Sequence, residues 1–337
     1  MKTTVLGSGG WGTALALLLL ENGNETTLWS HRPEQTGTLR ERRENPRLAG
    51  VPLPEDLKLT SSLEDLGGSA LVVMAVPSFA VRETARMAAP FLKPGTVIVS
   101  AAKGIEQDTA LRMTEIIEQE TGGTCRVAAL SGPSHAEEVG RRIPTGCVSA
   151  ARDPEAAGLV QDMFMNTRFR VYVNEDLVGV ELGGALKNVL ALACGVCDGM
   201  GLGDNAKALL MTRGMTEMAR LGVALGGRKE TFAGLSGMGD LIVTCTSMHS
   251  RNRRCGILIG QGKSVQEAMA EVGAVVEGYY AALSARQLAL RTGVEMPICR
   301  CAYGMLYEGQ SVQGVLEQLM GRDKRREVDD SWISTFE

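Results

Sequence analysis

Histidine is nearly missing from this chain: His31, His135 and His249 are the only three in 337 residues. The eight cysteines do not compensate. Cys194-x-x-Cys197 lies inside an apolar stretch and Cys299-x-Cys301 follows a proline. Neither has a second pair or histidines at zinc-ligand spacing, so no metal centre is expected. A run of about twenty uncharged apolar residues is missing, and the N-terminus enters a strand with no charged leader. Neither membrane insertion nor secretion is expected, and thiols scattered among apolar residues suit a reducing cytoplasm. An excess of basic charge is missing too. Lys+Arg number 35 against 39 Asp+Glu, net −4, with the signs mixed along the chain. Nothing there suggests a nucleic-acid surface. The basic cluster Arg322–Arg326 is flanked by acids and reads as a solvated end, with a charged tail beyond it.

What is present is an ordinary globular composition, 44% apolar and 22% charged, in a chain long enough for two domains. Lys2–Gly7 is a short strand running into Gly7-Ser8-Gly9-Gly10-Trp11-Gly12, and Thr13–Glu21 continues as an apolar helix. Strand, G-x-G-x-x-G and helix in this order build a dinucleotide site. Gly7 permits the tight turn, Gly9 admits a pyrophosphate, Gly12 lets helix and strand pack, and the helix N-terminus offers N–H groups to phosphates. The second strand, Glu25–Ser30, ends in Ser30-His31-Arg32 with no carboxylate for a ribose. A histidine and an arginine there suit a 2′-phosphate, so NADP is expected, alongside NAD; the plainer reading is a surface turn before a helix starting at Pro33.

Further strands are expected at Leu57–Thr60, Ala70–Val76, Thr96–Ser100, Arg126–Leu130, Gly146–Ala150 and Arg168–Val173, with helices at Val81–Leu92 and Thr109–Gln119. Lys103 follows a strand's carboxyl end, where open α/β sheets bind ligands. Ser131–Glu138 brings glycine, proline and hydroxyls to another strand end, a plausible anion-binding turn. Beyond residue 178 the pattern turns helical. The expected fold is therefore α/β: a Rossmann-like, mostly parallel sheet domain over 1–178 followed by an all-helical domain over 179–337.

The most unusual stretch is Glu181–Asp198, an apolar helix carrying one lysine, Lys187. Helical side chains lean back over positions three and four earlier, here Gly184 and Gly183. An ammonium over bare backbone leaves room for a small ligand. The alternatives are a snorkelling lysine at a helix crossing and a catalytic lysine. Downstream, Asp204 is a candidate N-cap for a helix reaching Leu221. Asp240 sits between glycines and an apolar run, either as a helix cap or as partner of a buried cation. Ser250-Arg251-Asn252-Arg253-Arg254 is either phosphate-binding equipment or a solvated helix start. The three histidines read as loop or capping residues, His135 being the best placed of them for acid/base work.

Several blocks now coincide with one family. GSGGWGTALA, KGIE, LSGPSHAEEV, ELGGALKNVLALACGVCDGMGLGDNAKALLMTRGMTEM, GLSGMGDLIVTCTSMHSRNRRCG and VVEG occur in order over nearly the whole chain. Together they resemble bacterial NAD(P)-dependent glycerol-3-phosphate dehydrogenase. The family often has serine where Gly10 stands, and it varies around His31-Arg32, which leaves cofactor preference open. The resemblance implies an active site between a Rossmann-like and a helical domain, a cytoplasmic homodimer, and interconversion of dihydroxyacetone phosphate with sn-glycerol 3-phosphate for phospholipid synthesis. It makes Lys187 the proton donor/acceptor. It places Lys103, Gly132, Ser134, Asp240, Ser250, Arg251 and Asn252 around the substrate. It places Gly10, Trp11, His31, Arg32, Lys103, Ala136, Arg251, Val275 and Glu277, with the motif glycines, at the cofactor. Two rivals share parts of the pattern: a related 3-hydroxy acid dehydrogenase, which needs a carboxylate site in place of the phosphate clamp, and a non-catalytic dinucleotide-binding redox sensor.

Overall fold

The computed structural model describes residues 1–324 and Glu327. Arg325 and Arg326 of the expected basic end, and the tail after Glu327, lie outside the described residues. The chain forms two compact units, Met1–Lys103 with Leu111–Leu177, and Gly104–Ala110 with Val178 onward.

The first unit is built on one eight-stranded sheet. Its strands are β1 (Lys2–Leu6), β2 (Glu25–Trp29), β3 (Lys58–Thr60), β4 (Leu71–Met74), β5 (Val97–Ser100), β6 (Arg126–Ser131), β7 (Thr145–Ala151) and β8 (Phe169–Asn174). Their order is β3-β2-β1-β4-β5-β6-β7-β8, and every pairing is parallel except β6 with β7. The short apolar runs explain the central strands. Side chains alternate between faces. Val5, Leu71, Val73, Val97 and Val99 join a core on one face, and Leu6, Val72, Met74 and Ile98 join a core on the other. Each such side chain contributes roughly 1.5–3 kcal/mol by leaving water. The sequence order reverses across β1, which lies between β2 and β4. In open α/β sheets ligands bind beyond the strand carboxyl ends at such a point.

Two expected helix starts move, and the helix expected over Val81–Leu92 ends at Ala88, with a 3₁₀ turn over Ala89–Phe91. The first helix is Gly10–Glu21 and so begins inside the glycine motif. The helix expected from Thr109 begins at Met113, where Glu115 Oε2 accepts from Arg112 N (2.9 Å). Asp108 and Ala110 have φ of +67° and +57°, so the preceding stretch turns and cannot continue a helix.

The second unit, among the described residues, is helical. Its axis is Leu177–Gly199, in which every residue from 181 to 190 is buried. By length and hydropathy this helix matches a membrane span, but 83% of its apolar 18-residue stretch is buried inside the protein, as in a core helix. Packing against it is backbone to backbone. A Cβ on Gly195 would lie 2.1 Å from Arg253 O, and one on Gly256 would lie 2.0 Å from Leu192 O. The helix Arg251–Gly260 can therefore cross the lysine helix only because both faces lack side chains there. Asp204 is not the N-cap of the next helix. That helix runs Gly203–Ala224 with Leu202 at the cap, and Asp204 is a fully exposed first-turn residue 3.6 Å from Lys207. None of the eight cysteines is paired in a disulfide, and all but the half-buried Cys197 are buried. Burial pushes the Cys197 and Cys255 thiols up to about 11, which keeps them inert.

Glu217 joins two helices of the unit through a buried carboxyl. It is buried, and its two oxygens accept from Ile298 N (2.7 Å) and Cys299 N (3.1 Å) at the start of helix Pro297–Tyr307. Desolvation outweighs these bonds and pushes the carboxyl up to about 7. A carboxyl whose folded value is raised binds its proton more tightly when folded. Its stabilising effect is complete below the unfolded value near 4.5 and is lost as pH rises through 7. Unfolding free energy measured by denaturant titration is expected to fall by ~3 kcal/mol across this window. Glu217→Gln is expected to flatten the profile; an unchanged slope would show that Glu217 does not titrate there.

Candidate active site

The glycine turn fits a dinucleotide. Gly7 has φ of +114°, and a Cβ on Gly12 would stand 1.9 Å from Gly7 O, so helix and strand touch through bare backbone. A Cβ on Gly9 meets nothing within 4 Å. No side chain caps the helix that follows Gly9, which leaves its first N–H groups directed at that open space. Gly10 is closed on its other side: a Cβ there would lie 2.5 Å from Arg47 O, and Ala136 packs beside it. Trp11 is half-buried against the same core. Residues without a motif hold the turn in shape. Ser30 Oγ donates to Ser8 Oγ (2.6 Å), and Gln35 and Asn45 amides donate to Ser8 O (3.1 Å each). Asn45 also donates to Thr13 Oγ1 (2.6 Å).

His31 and Arg32 lie exposed just past β2. His31 packs edge-on to Trp29, at 5.9 Å between centroids, and Arg32 is the N-cap residue of helix Pro33–Arg42. A charge-assisted contact to a 2′-phosphate contributes roughly 1.5–3 kcal/mol. Arg32→Ser is therefore expected to raise the Kd for NADPH at least about tenfold and to leave that for NADH nearly unchanged. Equal effects in a fluorescence titration would show that Arg32 does not read the 2′-phosphate.

At the ends of β5 and β6, three expected site residues meet. Lys103 Nζ donates to Gly132 O (2.9 Å), and Ser134 Oγ donates to the same carbonyl (2.9 Å). Gly132 has φ of +136°, so its carbonyl orientation needs a residue without a side chain. His135 follows as the N-cap residue of the short helix Ala136–Gly140.

In the helical unit the lysine has a carboxylate and a hydroxyl. Lys187 Nζ donates to Asp240 Oδ1 and to Thr244 Oγ1, both at 2.6 Å. The side chains of Lys187 and Asp240 are 7% and 1% exposed. Asp240 is the first residue of helix Asp240–Thr246, so of its two readings the structure takes the cation partner. Thr244, one turn on, shares its face and donates to Asp240 O (2.6 Å). Burying both charges costs several kcal/mol per ion, which this close pairing offsets. The expectation that Gly183 clears a ligand approach is overturned. A Cβ on Gly183 would lie 2.7 Å from Ser236 O, so the backbone of the π-helical segment Leu235–Gly239 fills that space.

The Ser250–Asn252 segment divides its work. Ser250 is a helix N-cap whose Oγ accepts from Arg253 N (3.2 Å). Asn252 is buried. Its Nδ2 donates to Asn188 Oδ1 (2.9 Å), and its Oδ1 accepts from Gly278 N (2.8 Å). This ties the residue after Lys187 to the segment holding the half-buried Val275 and Glu277. Only Arg251 of the three is exposed, so the expected three-residue clamp has one solvent-facing member. Sequence reasoning missed Thr244, Asn188 and Asn45. Thr244 had a signal, its i+4 spacing from Asp240; Asn45 had none. Among the described residues no group of three metal-ligating side chains is clustered.

A Rossmann-type sheet with an open glycine turn, and a helical unit with a buried lysine–carboxylate pair, are the parts of a nicotinamide-dinucleotide dehydrogenase. The comparisons narrow that class. Residues 2–157 match the NAD-dependent glycerol-3-phosphate dehydrogenase N-terminus, and residues 176–317 match the C-terminus of the same family. The chain is 55% identical over 327 residues to glycerol-3-phosphate dehydrogenase [NAD(P)+] of Moorella thermoacetica, covering 96% of this chain and 97% of that one. It is 48% identical to the Bacillus subtilis protein of the same name, covering 100% and 98%. The crystal structure of the Coxiella burnetii glycerol-3-phosphate dehydrogenase superposes with a TM-score of 0.92 at 38% identity, covering 95% and 99%. The chain belongs to the NAD-dependent glycerol-3-phosphate dehydrogenase family.

Proposed function

We propose that this protein interconverts dihydroxyacetone phosphate and sn-glycerol 3-phosphate with NADP or NAD, in the cytoplasm and as a homodimer, supplying glycerol 3-phosphate for glycerophospholipid synthesis. The observation that carries this reading is the buried Lys187–Asp240–Thr244 cluster. Residues 1–178 serve as the dinucleotide domain and 179–337 as the substrate-binding and catalytic domain.

The bound nicotinamide supplies or accepts the hydride; the chain supplies everything else. Gly7, Gly9, Gly10 and Gly12 let the pyrophosphate approach the helix N-terminus. Trp11, His31, Arg32, Lys103, Ala136, Arg251, Val275 and Glu277 complete the nucleotide contacts. When the ketone carbon gains hydride, negative charge appears on its oxygen. Lys187, held by Asp240 and Thr244, stabilises that charge and delivers the proton; in the reverse direction it takes the proton back. Arg251 holds the phosphate remote from the reacting carbon, with Ser250 capping its helix and Asn252 tying that helix to Asn188 and Gly278, and Lys103, Gly132 and Ser134 line the substrate. Binding energy gathered at the phosphate is then usable at the transition state.

The test is steady-state oxidation of NADPH and NADH in parallel with dihydroxyacetone phosphate and with 3-oxo acids. Turnover of dihydroxyacetone phosphate alone is expected. Turnover of a 3-oxo acid in its place overturns the substrate assignment, and dinucleotide binding without turnover of any ketone overturns the enzymatic one.

A further inference from the structure

Arg253 is used by neither the nucleotide nor the lysine reading, yet its guanidinium contacts Asp198, Thr246 and Met248. Two residues past Arg251, it is rotated by roughly 200° from it and so leaves the helix on the other side. Its Nε donates to Asp198 Oδ2 (2.7 Å), near the end of the lysine helix. Its Nη1 donates to Thr246 O (2.9 Å), the last residue of the Asp240 helix, and contacts Met248 Sδ at 3.0 Å. Its own backbone N–H is the one that Ser250 caps (3.2 Å). Asp198 is held in turn, its Oδ1 accepting from Lys207 Nζ (2.6 Å). The Arg253 side chain is 13% exposed and that of Asp198 17%. The backbone of Arg253 is fixed as well, because Gly195 leaves no gap against its carbonyl. One guanidinium thus joins the lysine helix, the end of the helix carrying Asp240, and the turn Ser247–Ser250 from which Arg251 emerges.

We propose that Arg253 is a positioning residue for recognition of the substrate's phosphate: by pinning the Thr246–Ser250 turn to Asp198 it sets where the Arg251 guanidinium stands, without touching substrate itself. The inference rests on the reading of Arg251 as the phosphate contact. A lysine at 253 keeps the charge but lacks the planar fork that reaches Asp198 and the Thr246 carbonyl together.

The experiment compares dihydroxyacetone phosphate with dihydroxyacetone, which lacks the phosphate, for the native protein, Arg251→Ala, Arg253→Lys and Asp198→Asn, with thermal unfolding measured on each. Arg253→Lys and Asp198→Asn are expected to raise KM for dihydroxyacetone phosphate about tenfold, with kcat changed less than about threefold. Both are expected to leave kcat/KM for dihydroxyacetone within about twofold of native. Arg251→Ala is expected to raise KM for the phosphorylated ketone at least as much. If Arg251→Ala leaves that KM unchanged, the phosphate reading fails. If Arg251→Ala raises it while Arg253→Lys does not, or if Arg253→Lys lowers turnover of both ketones alike, the positioning role is overturned. Should Arg253→Lys fail to fold, Asp198→Asn decides by the same comparison.

Discussion

Lys187→Ala is expected to lower kcat by about 10²-fold or more, the scale set by losing a positioned acid/base, with NADPH affinity close to native. The group lost is the ammonium that meets the charge developing on the ketone oxygen. The substitution has a second consequence, because Asp240 is 1% exposed and would remain buried without its cation. Breaking a buried pair in this way costs roughly 3–5 kcal/mol. Activity loss and unfolding must therefore be separated. Pairing Lys187→Met with Asp240→Asn removes both charges and is expected to recover much of the stability while turnover stays low. Thermal unfolding and steady-state rates on the single and double variants provide the check. Near-native turnover in either folded variant would remove Lys187 from the chemistry.

The second large effect is expected at the glycine turn. Gly12→Ala places a methyl where Gly7 O stands 1.9 Å away, and Gly7 is itself fixed by φ of +114° and by lack of room, since a Cβ on it would lie 2.6 Å from Ala75 O. The helix must leave the strand, so NADPH affinity is expected to fall about 100-fold and stability by roughly 1–3 kcal/mol, as for other forced overpacking. Gly9→Ala is the informative contrast. A Cβ there meets nothing within 4 Å, so folding is expected to be untouched. Only the pyrophosphate contact is obstructed, and NADPH binding alone is expected to weaken. Fluorescence titration beside thermal unfolding distinguishes the two; normal affinity in Gly9→Ala would mean that the dinucleotide does not pass over that residue.

The sheet was legible because strands such as β4 and β5 are apolar runs cut off by proline or serine, and such runs bury on both faces. Ala70–Val76 is the clearest case, with β4 wholly buried inside it. The lysine helix was legible for the same reason. The nature of its surroundings was not. Gly183 looked like space for a ligand, because a missing side chain reads identically in sequence whether backbone or solvent takes its place. Asp240 had two readings because its helix start and its ion pair use the same residue. The stretch before Met113 carried helix-compatible residues, and its turn depends on φ values that no residue type there demands. Ser250 and Asn252 were read as clamp members because hydroxyl and amide groups suit a phosphate and a helix start equally well. In the structure Ser250 accepts from Arg253 N as a helix cap, and Asn252 bonds Asn188 and Gly278 N, tying its helix to two others.

The segment Gly104–Ala110 belongs to the helical unit although the chain makes it while building the sheet. Ile105 is 3% exposed in the helical core, and its carbonyl accepts from Ser284 Oγ across 179 residues. At a synthesis rate of 5–20 residues per second, roughly ten to thirty-five seconds separate the two at the ribosome. The emerging chain therefore carries an apolar side chain and a backbone acceptor that must wait for helices not yet translated. Cutting the gene after residue 178 makes that wait permanent, so a sheet fragment expressed alone carries a piece of the other unit's core on its surface.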